Sequence, residues 1–480
     1  MTPSKTGKMV CCLILVLVLL QGFGHHADAS SDALEKTAPP LDWSRITVLD
    51  LETAQRLAMA DNPSIQATEI RIQQAKERIS QARAAYWPRL DATASASRIW
   101  MPDNEYQDNL YSARMFDPGT TIDDPQDYYQ AGLTTTWLLF DGFERRYKTR
   151  QALNVKDQTI SARDDARRLL LSSVSLSFLS AELARENIDI AKTDEAFFND
   201  LLEEAKSRRQ IGTGSLSDEL NFQIQANAAI SDRIRAEGVY KTALHSLAAL
   251  LGLADASLPA HVELAPLEKA TPEEMQVPDT KQMVSYALEH RPEILQARLA
   301  IQNAYLEKKM ANSNYAPTIN LTASVRGERE ADARFEGDDF GNTIGLNMTF
   351  NLFSGGLYRA QSREAMQKEI EARKLLEDLK INITAEIRTT ITNVITFQTQ
   401  LTLQQSITRL SQENRDLVEK EYKAGQASLV RLNESQRELT SAQNRTALAL
   451  VALRQSWWSL MSETGMITED EALNYLSNSN

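Results

Sequence analysis

The sequence predicts a mainly α chain that carries a membrane β-barrel, built from a strand-helix unit used twice. Three observations predict it. Four segments of about ten residues alternate oily and polar side chains with period two, the signature of a strand with one apolar face. Two stretches, Phe143 to Arg209 and Leu357 to Ala424, contain neither glycine nor proline. The chain also matches itself at two fixed offsets.

The 480 residues are 24% charged and 42% hydrophobic, enough to bury a large core and unlike a disordered or collagen-like polymer. Residues 1–29 carry Lys5 and Lys8, an apolar run from Met9 to Leu20, and Ala27-Asp28-Ala29 before Ser30. That is the layout of a secretory signal cleaved after Ala29. The apolar run falls short of the ~20 residues that a membrane-spanning helix needs. Both cysteines, Cys11 and Cys12, lie inside this segment, and no small-residue lipidation box precedes either. The exported chain is therefore expected to have no disulfide, no thiolate metal site and no lipid anchor. Removing Lys5, Lys8 and Asp28 from the 52 basic and 65 acidic residues leaves 50 against 64, a net charge of -14, which argues against a nucleic-acid partner.

The repeat comes next. "ADNPSIQATEIRIQQAKERISQARAAYWPRLDATAS" from Ala60 resembles "EHRPEILQARLAIQNAYLEKKMANSNYAPTINLTAS" from Glu289, with Pro63/Pro292 and Pro88/Pro317 both 229 apart. Further on, "WLLFDGFERRYKTRQA" resembles "FNLFSGGLYRAQSREA", and "IGTGSLSDELN" resembles "AGQASLVRLNE", with Phe140/Phe353 and Gly212/Gly425 both 213 apart. The 16-residue difference places a longer loop between Pro88 and Phe140 in the first copy. The expected divisions are a first repeat over 30–252, a linker over 253–280, a second repeat over 281–465 and an equatorial or disordered tail over 466–480. Each repeat reads helix, proline, strand, loop, strand, glycine turn, very long helix, glycine-containing tip, helix. A continuous helix over either unbroken stretch would reach ~100 Å at 1.5 Å per residue. Ile383, Ile387, Ile391, Val394 and Leu401 recur at coiled-coil spacing, and Leu169, Leu170, Val174, Phe178 and Leu183 are expected to form the matching core stripe of the first copy.

The strands want oil on one side and water on the other. In "NYAPTINLTASVRG" Ile319, Leu321 and Val325 share a face; in "TIGLNMTFNLF" so do Ile344, Leu346, Met348 and Phe350; in "YYQAGLTTTWLLF" so do Leu133, Trp137 and Leu139. "PRLDATASASRIW" is the fourth. Their length suits a tilted crossing of a bilayer, and Tyr86, Trp87, Trp100, Tyr128, Tyr129, Phe140, Tyr315 and Phe353 near their ends suit interfacial aromatic girdles. Four strands cannot close a barrel, and an open edge in lipid leaves backbone groups unpaired. Other copies must complete it. With four strands per chain, three chains and twelve strands are the most economical pore.

With these residues assembled, the chain resembles the TolC-like outer-membrane efflux and secretion channels of Gram-negative bacteria. The resemblance covers roughly residues 45–465 and rests on the duplication, the strand starts "YWP" and "YAP", the strand ends "LFDG" and "LFSGG", and the two tip motifs. It implies a homotrimer with a short barrel, a long α-helical coiled-coil tunnel in the periplasm and an equatorial girdle from segments outside the repeats. It also implies partners: outer-membrane lipid, a periplasmic adaptor, and an inner-membrane transporter of ABC or RND type. Glycine turns at the far periplasmic end would meet the adaptor, which points to Gly212, Gly214 and Ser215 in one tip and Gly425 and Ser428 in the other. Side chains just beyond would narrow the closed entrance, here Asp218, Asn221, Arg431 and Glu434. Arg431 departs from the acidic residue usual in the family, leaving a ring of Glu434 that Arg431 of a neighbouring copy could neutralise. The missing lipidation leans toward secretion-type or general channels, because many dedicated drug-efflux members carry a lipid-attached cysteine.

Catalysis is not expected. The exported chain keeps only His245, His261 and His290, with no metal-spaced pair and no Walker, nucleophile-elbow or metalloprotease pattern. No cofactor is implied. The rival reading is a periplasmic coiled-coil adaptor or scaffold without a pore, which the four amphipathic strands disfavour.

Overall fold

The structure, a computed structural model, describes residue 43 and residues 46–467. The expected leader 1–29, with Cys11 and Cys12, and the expected tail beyond Ile467 lie outside the described residues. The chain divides into two compact units at Thr47, and the fold below is that of the second, from Val48 onward.

One set of elements occurs twice. A short strand β1 (Val48–Leu49) leads into α1 (Leu51–Asp61), α2 (Pro63–Ala84), β2 (Arg89–Ile99), α3 (Asp103–Phe116), β3 (Gln126–Phe140), α4 (Glu144–Gln210) and α5 (Leu216–Leu250). A linker strand β4 (Glu263–Leu264) follows, then α6 (Thr280–His290), α7 (Pro292–Ser313), β5 (Thr318–Glu330), β6 (Phe340–Thr349), α8 (Leu357–Lys423) and α9 (Leu429–Thr464). The starts of α1/α6, α2/α7 and β2/β5 are 229 apart, and those of α4/α8 and α5/α9 are 213 apart. The offsets read from the sequence hold for whole elements. The expected longer loop of the first copy is in part a helix: α3, of 14 residues, has no counterpart. Asp103 and Glu105 in its first turn and Arg114 in its last complement the helix dipole.

The helix ends follow from local chemistry. The Asp50 carboxylate accepts the Thr53 N–H at 2.7 Å to start α1, and Asp279 accepts from Lys281 and Gln282 to start α6. Pro63 and Pro292 open α2 and α7, where the missing N–H costs nothing. Nothing interrupts α4 and α8, 67 residues each, so both run ~100 Å.

Ile383, Ile387, Ile391, Val394 and Leu401 are all buried, packed with Met283 of α6 and Leu453 and Leu460 of α9. In α4 the buried stripe is Leu171, Val174 and Phe178; Leu169, expected in it, is exposed. Leu171 is three residues before Val174 and seven before Phe178, which keeps it on the core face, whereas Leu169 falls on the other side. The linker forms an ordered belt. β4 pairs in parallel with β1, and Gln398 Nε2 of α8 donates to the carbonyls of Glu274 and Gln276. From α9, Trp457 Nε1 donates to the Glu274 carbonyl and Arg454 Nε to the Glu274 carboxylate, both at 2.9 Å.

The four long strands form one antiparallel sheet in the order β2-β3-β5-β6, so the two hairpins meet at β3 and β5 and both outer edges are open. β3 and β5 have 15 and 13 residues, longer than expected. β6 has the expected ten residues but starts earlier, at Phe340, and stops at Thr349, leaving Phe350 one residue beyond it. A bulge lies between Leu138 and Phe140, which takes Leu139 out of the register.

Candidate functional site

Two regions carry the chemistry, the sheet and the paired helix tips. Residues directly opposite in an antiparallel ladder share a face. Trp137 pairs with Leu321 and Leu321 with Leu346; Leu133 pairs with Val325; Ile319 with Met348; Ala323 with Ile344. Ala92, Ala94 and Ala96 of β2 fall on this same side, opposite Leu133, Ala131 and Tyr129. The other face carries Asp91, Thr93 and Ser95, then Thr136 and Thr134, then Thr322 and Ser324, then Gly345 and Thr343. The sheet is therefore mainly oily on one side and hydrophilic on the other across all four strands, the oily side interrupted by Thr135 and Asn342 and ending at Arg98 and Arg329. Ile344, Leu346 and Met348 are 76%, 66% and 67% exposed, an apolar surface that no described residue covers.

Aromatic side chains mark both ends of the sheet. At the end nearest the long helices lie Tyr86, Trp87, Tyr315, Phe140 and Phe353, and Trp137 Nε1 donates to the Tyr86 carbonyl at 3.0 Å. At the far end lie Trp100, Tyr128 and Tyr129. Among the described residues no helix is long and apolar enough to cross a membrane.

The tips are two copies of one turn. α4 ends where Gly212 adopts φ +80°, its N–H reaching the Arg209 carbonyl and the N–H of Thr213 and Gly214 the Arg208 carbonyl. α8 ends where Gly425 adopts φ +76°, with the N–H of Gln426 and Ala427 on the Glu421 carbonyl. A left-handed residue is what closes a helix this way, so glycine is required at both positions. Ser215 and Ser428 then start α5 and α9, their hydroxyls accepting the N–H of Asp218 at 3.1 Å and Arg431 at 3.3 Å.

The two tips lie side by side. Phe198, Phe222, Val418 and Leu432, one from each of four helices, share a core, and the Tyr422 ring meets Phe222 edge-on at 6.2 Å. Burial raises the pKa of the Tyr422 hydroxyl, and the nearby Asp218 carboxylate adds to this. Asn221 accepts from Asn433 Nδ2 at 2.9 Å, tying one hairpin to the other. Asn221 and Glu434 line one open groove with Arg437 and Glu438. The Arg431 guanidinium pairs with Glu421 at 3.2 Å across the second tip. The first tip carries the mirror-charged pair, Arg209 with Glu219 at 2.8 Å. Sequence reasoning missed these ion pairs and Asn433. The equal ten-residue spacing around each glycine, Arg209 to Glu219 and Glu421 to Arg431, was the available signal.

At the belt a cavity of about 340 Å³ is lined by Phe178, Trp457 and Trp458 with Glu182, Glu274 and Arg454. Glu182 of α4 is 6% exposed, and burial pushes its pKa up to about 7; Glu268 adds to the rise, and Arg454 and Arg185 oppose it. Among the described residues no cluster of His, Cys, Asp and Glu could hold a metal ion.

Residues 55–253 and 283–466 match the outer membrane efflux protein family. The pyoverdine export outer membrane protein OpmQ of Pseudomonas aeruginosa is 24% identical over 430 residues, 88% of this chain and 86% of that protein. The alkaline protease secretion protein AprF of the same organism is 24% identical over 452 residues, 89% and 88% of the two chains. In fold the chain resembles the Campylobacter jejuni CmeC outer membrane channel, with a TM-score of 0.70 at 17% identity, over 90% of this chain and 89% of that one.

Proposed function

Because this chain belongs to the outer membrane efflux protein family, we propose that three copies form the exit duct of a tripartite efflux or type I secretion system. The protein is one of the outer membrane. Its two repeats, 30–252 and 281–465, supply four barrel strands per copy, and the paired helical hairpins continue the duct into the periplasm. The observation that carries this reading is the sheet: one face mainly apolar over its middle, one face hydrophilic, and both edges unpaired among the described residues. Such a sheet is satisfied when oil meets lipid, water fills a lumen and other copies pair the edges. Conduction in this reading is passive. An inner-membrane transporter of ABC or RND type supplies the work, and a periplasmic adaptor joins it at the tips, at Gly212, Gly214, Ser215, Gly425 and Ser428. Relatives named for pyoverdine export and for alkaline protease secretion match 88% and 89% of this chain. We therefore assign substrate choice to the transporter rather than to the duct.

The gate lies beside the tips, at Asp218, Asn221, Arg431 and Glu434. Where three copies converge, like charges ~6 Å apart repel by about 0.7 kcal/mol per pair even at water's dielectric constant, so three Glu434 alone close poorly. Arg431 corrects this. Its pair with Glu421 is exposed on both sides and therefore worth at most about 1 kcal/mol, weak enough to exchange for Glu434 of a neighbouring copy. Single-channel recording in planar bilayers tests the assignment. Arg431→Ala and Glu434→Ala are each expected to raise conductance, and Glu434→Ala also to lower cation selectivity and weaken block by multivalent cations. Parental conductance and selectivity in both variants would place the constriction elsewhere.

A further inference from the structure

We propose that the cavity at the belt binds one small organic cation, an amine or quaternary ammonium with an apolar body, between the tryptophans of α9 and the buried carboxylate of Glu182. The site needs this cavity and no second copy, so it stands apart from the duct reading.

Four parts of the chain wall the cavity. Phe178 and Glu182 come from α4, Asp50 from the start of α1, Glu268 and Glu274 from the linker, and Arg454, Trp457 and Trp458 from α9. Its volume of about 340 Å³ falls within the roughly 300 to 1,000 Å³ of sites that take a small molecule. The charges decide which molecule. Four carboxylates share this wall with one guanidinium, a poor setting for an anion. Two of the four are engaged: Asp50 accepts the Thr53 N–H at 2.7 Å, and Glu274 pairs with Arg454 at 2.9 Å. Glu182 differs from both. It is 6% exposed and lines the cavity, yet no described residue donates a hydrogen bond to its carboxylate or forms an ion pair with it. Arg185 and Arg454 favour its charge only through space, because Arg185 is held on the Leu264 carbonyl and Arg454 on Glu274. A buried carboxylate without a partner is costly, and the like charge of Glu268 adds to the cost. A cation seated in the cavity would remove it.

The aromatic wall sets the rest of the ligand. Phe178 is buried, and Trp457 is fixed in orientation because its Nε1 donates to the Glu274 carbonyl at 2.9 Å. The quadrupole of such rings attracts a cation, most strongly where water is excluded, and their area rewards an apolar body. A bare metal ion does not suit the site, since among the described residues no group of His, Cys, Asp and Glu is placed to hold one.

The site also predicts its own pH dependence. The charged groups around Glu182 are Glu268 and Glu274 of the linker, Asp50 before α1, Arg454 of α9 and Arg185 of its own helix. Burial lifts the Glu182 pKa to about 7, so at lower pH a cation must displace its proton. Affinity for a permanent cation should therefore rise about tenfold from pH 6 to pH 8, with release of about 0.9 proton per ligand at pH 6 and almost none at pH 8.

Titration calorimetry of the full protein in an uncharged detergent tests the site with benzyltrimethylammonium, whose charge does not titrate. One molecule per chain is expected to bind with that pH dependence, and benzyl alcohol and benzoate at least tenfold more weakly at pH 8. Glu182→Gln, nearly isosteric, should weaken binding at least tenfold at pH 8 and abolish the pH dependence. Trp458→Leu should weaken it several-fold and keep the pH dependence. Hydrogen exchange places the site: the probe is expected to slow amides in 265–274 and 454–461 and to leave the tip segment 209–219 unchanged. No saturable binding at pH 8, equal binding of benzyl alcohol or benzoate, unchanged affinity in Glu182→Gln, or protection confined to other segments overturns the proposal. None of these outcomes bears on the mass of the assembly, by which the duct reading is judged.

Discussion

Glu182 shows how one buried carboxylate couples the belt to pH. Its folded-state pKa of about 7 lies above the ordinary glutamate value of 4.5, because burial disfavours the charge, with Glu268 of the linker adding to the rise and Arg454 of α9 and Arg185 of α4 opposing it. The folded chain then binds a proton that the unfolded chain has released, between pH 4.5 and about 7. Stability from this group is fully present below pH 4.5 and declines as pH rises to about 7. Glu182→Gln removes the titration. Thermal unfolding should show the variant more stable than the parent at pH 8 and equal to it at pH 5; equal shifts at both would mean that Glu182 is not buried as a charge. Phe143 makes a different point about single residues. It adopts φ +71° where its counterpart in the second repeat is Gly356 at φ +87°. Sequence comparison aligns the two positions but does not reveal the left-handed conformation, because phenylalanine rarely adopts it. The ring is held edge-on against Phe140 at 5.5 Å.

At the scale of elements, periodicity and punctuation were legible and unpaired edges were not. The absence of glycine and proline from two long stretches sufficed for α4 and α8, since nothing else stops a helix. The strand faces were legible because a period of two leaves no other assignment. The end of β6 was not, because the alternation runs on through Phe350 and Leu352 while the pairing with β5 ends at Thr318 opposite Thr349. Nor was α3, whose sequence "DNEYQDNLYSARMF" has no apolar stripe of helical spacing long enough to stand out from a loop. The ion pairs at the tips depend on two helices meeting at a turn, which spacing alone does not fix. The face assignment has a direct consequence. Leu346→Arg or Leu321→Arg should destabilise by ~2 to 4 kcal/mol if that site lies near the bilayer midplane. Asn347→Arg or Asn320→Arg should fold and alter conductance. Equal loss of folded protein from both sets, by heat-modifiability on gels, would reverse the faces.

For the whole molecule, the duplication is what makes a chain of this kind a subunit. A sheet of four strands with two open edges and a bare apolar face is not a finished structure in water or in lipid. Two near-equal repeats give it two near-equal edges, so copies add in the same sense, and a rotation between copies that closes makes a ring rather than a filament. The ~100 Å helices follow the same arrangement, each pair packed on a short helix from the strand side, which sets a duct beneath the barrel. The family and the architecture were legible in the sequence because repetition survives where individual motifs are weak; contacts between copies were not, since their partners lie on another chain. The most direct test is native mass measurement of the protein extracted in mild detergent from fractionated membranes. The account predicts an outer-membrane species of three times the mature chain mass that starts at Ser30, and a soluble chain of single mass would contradict it.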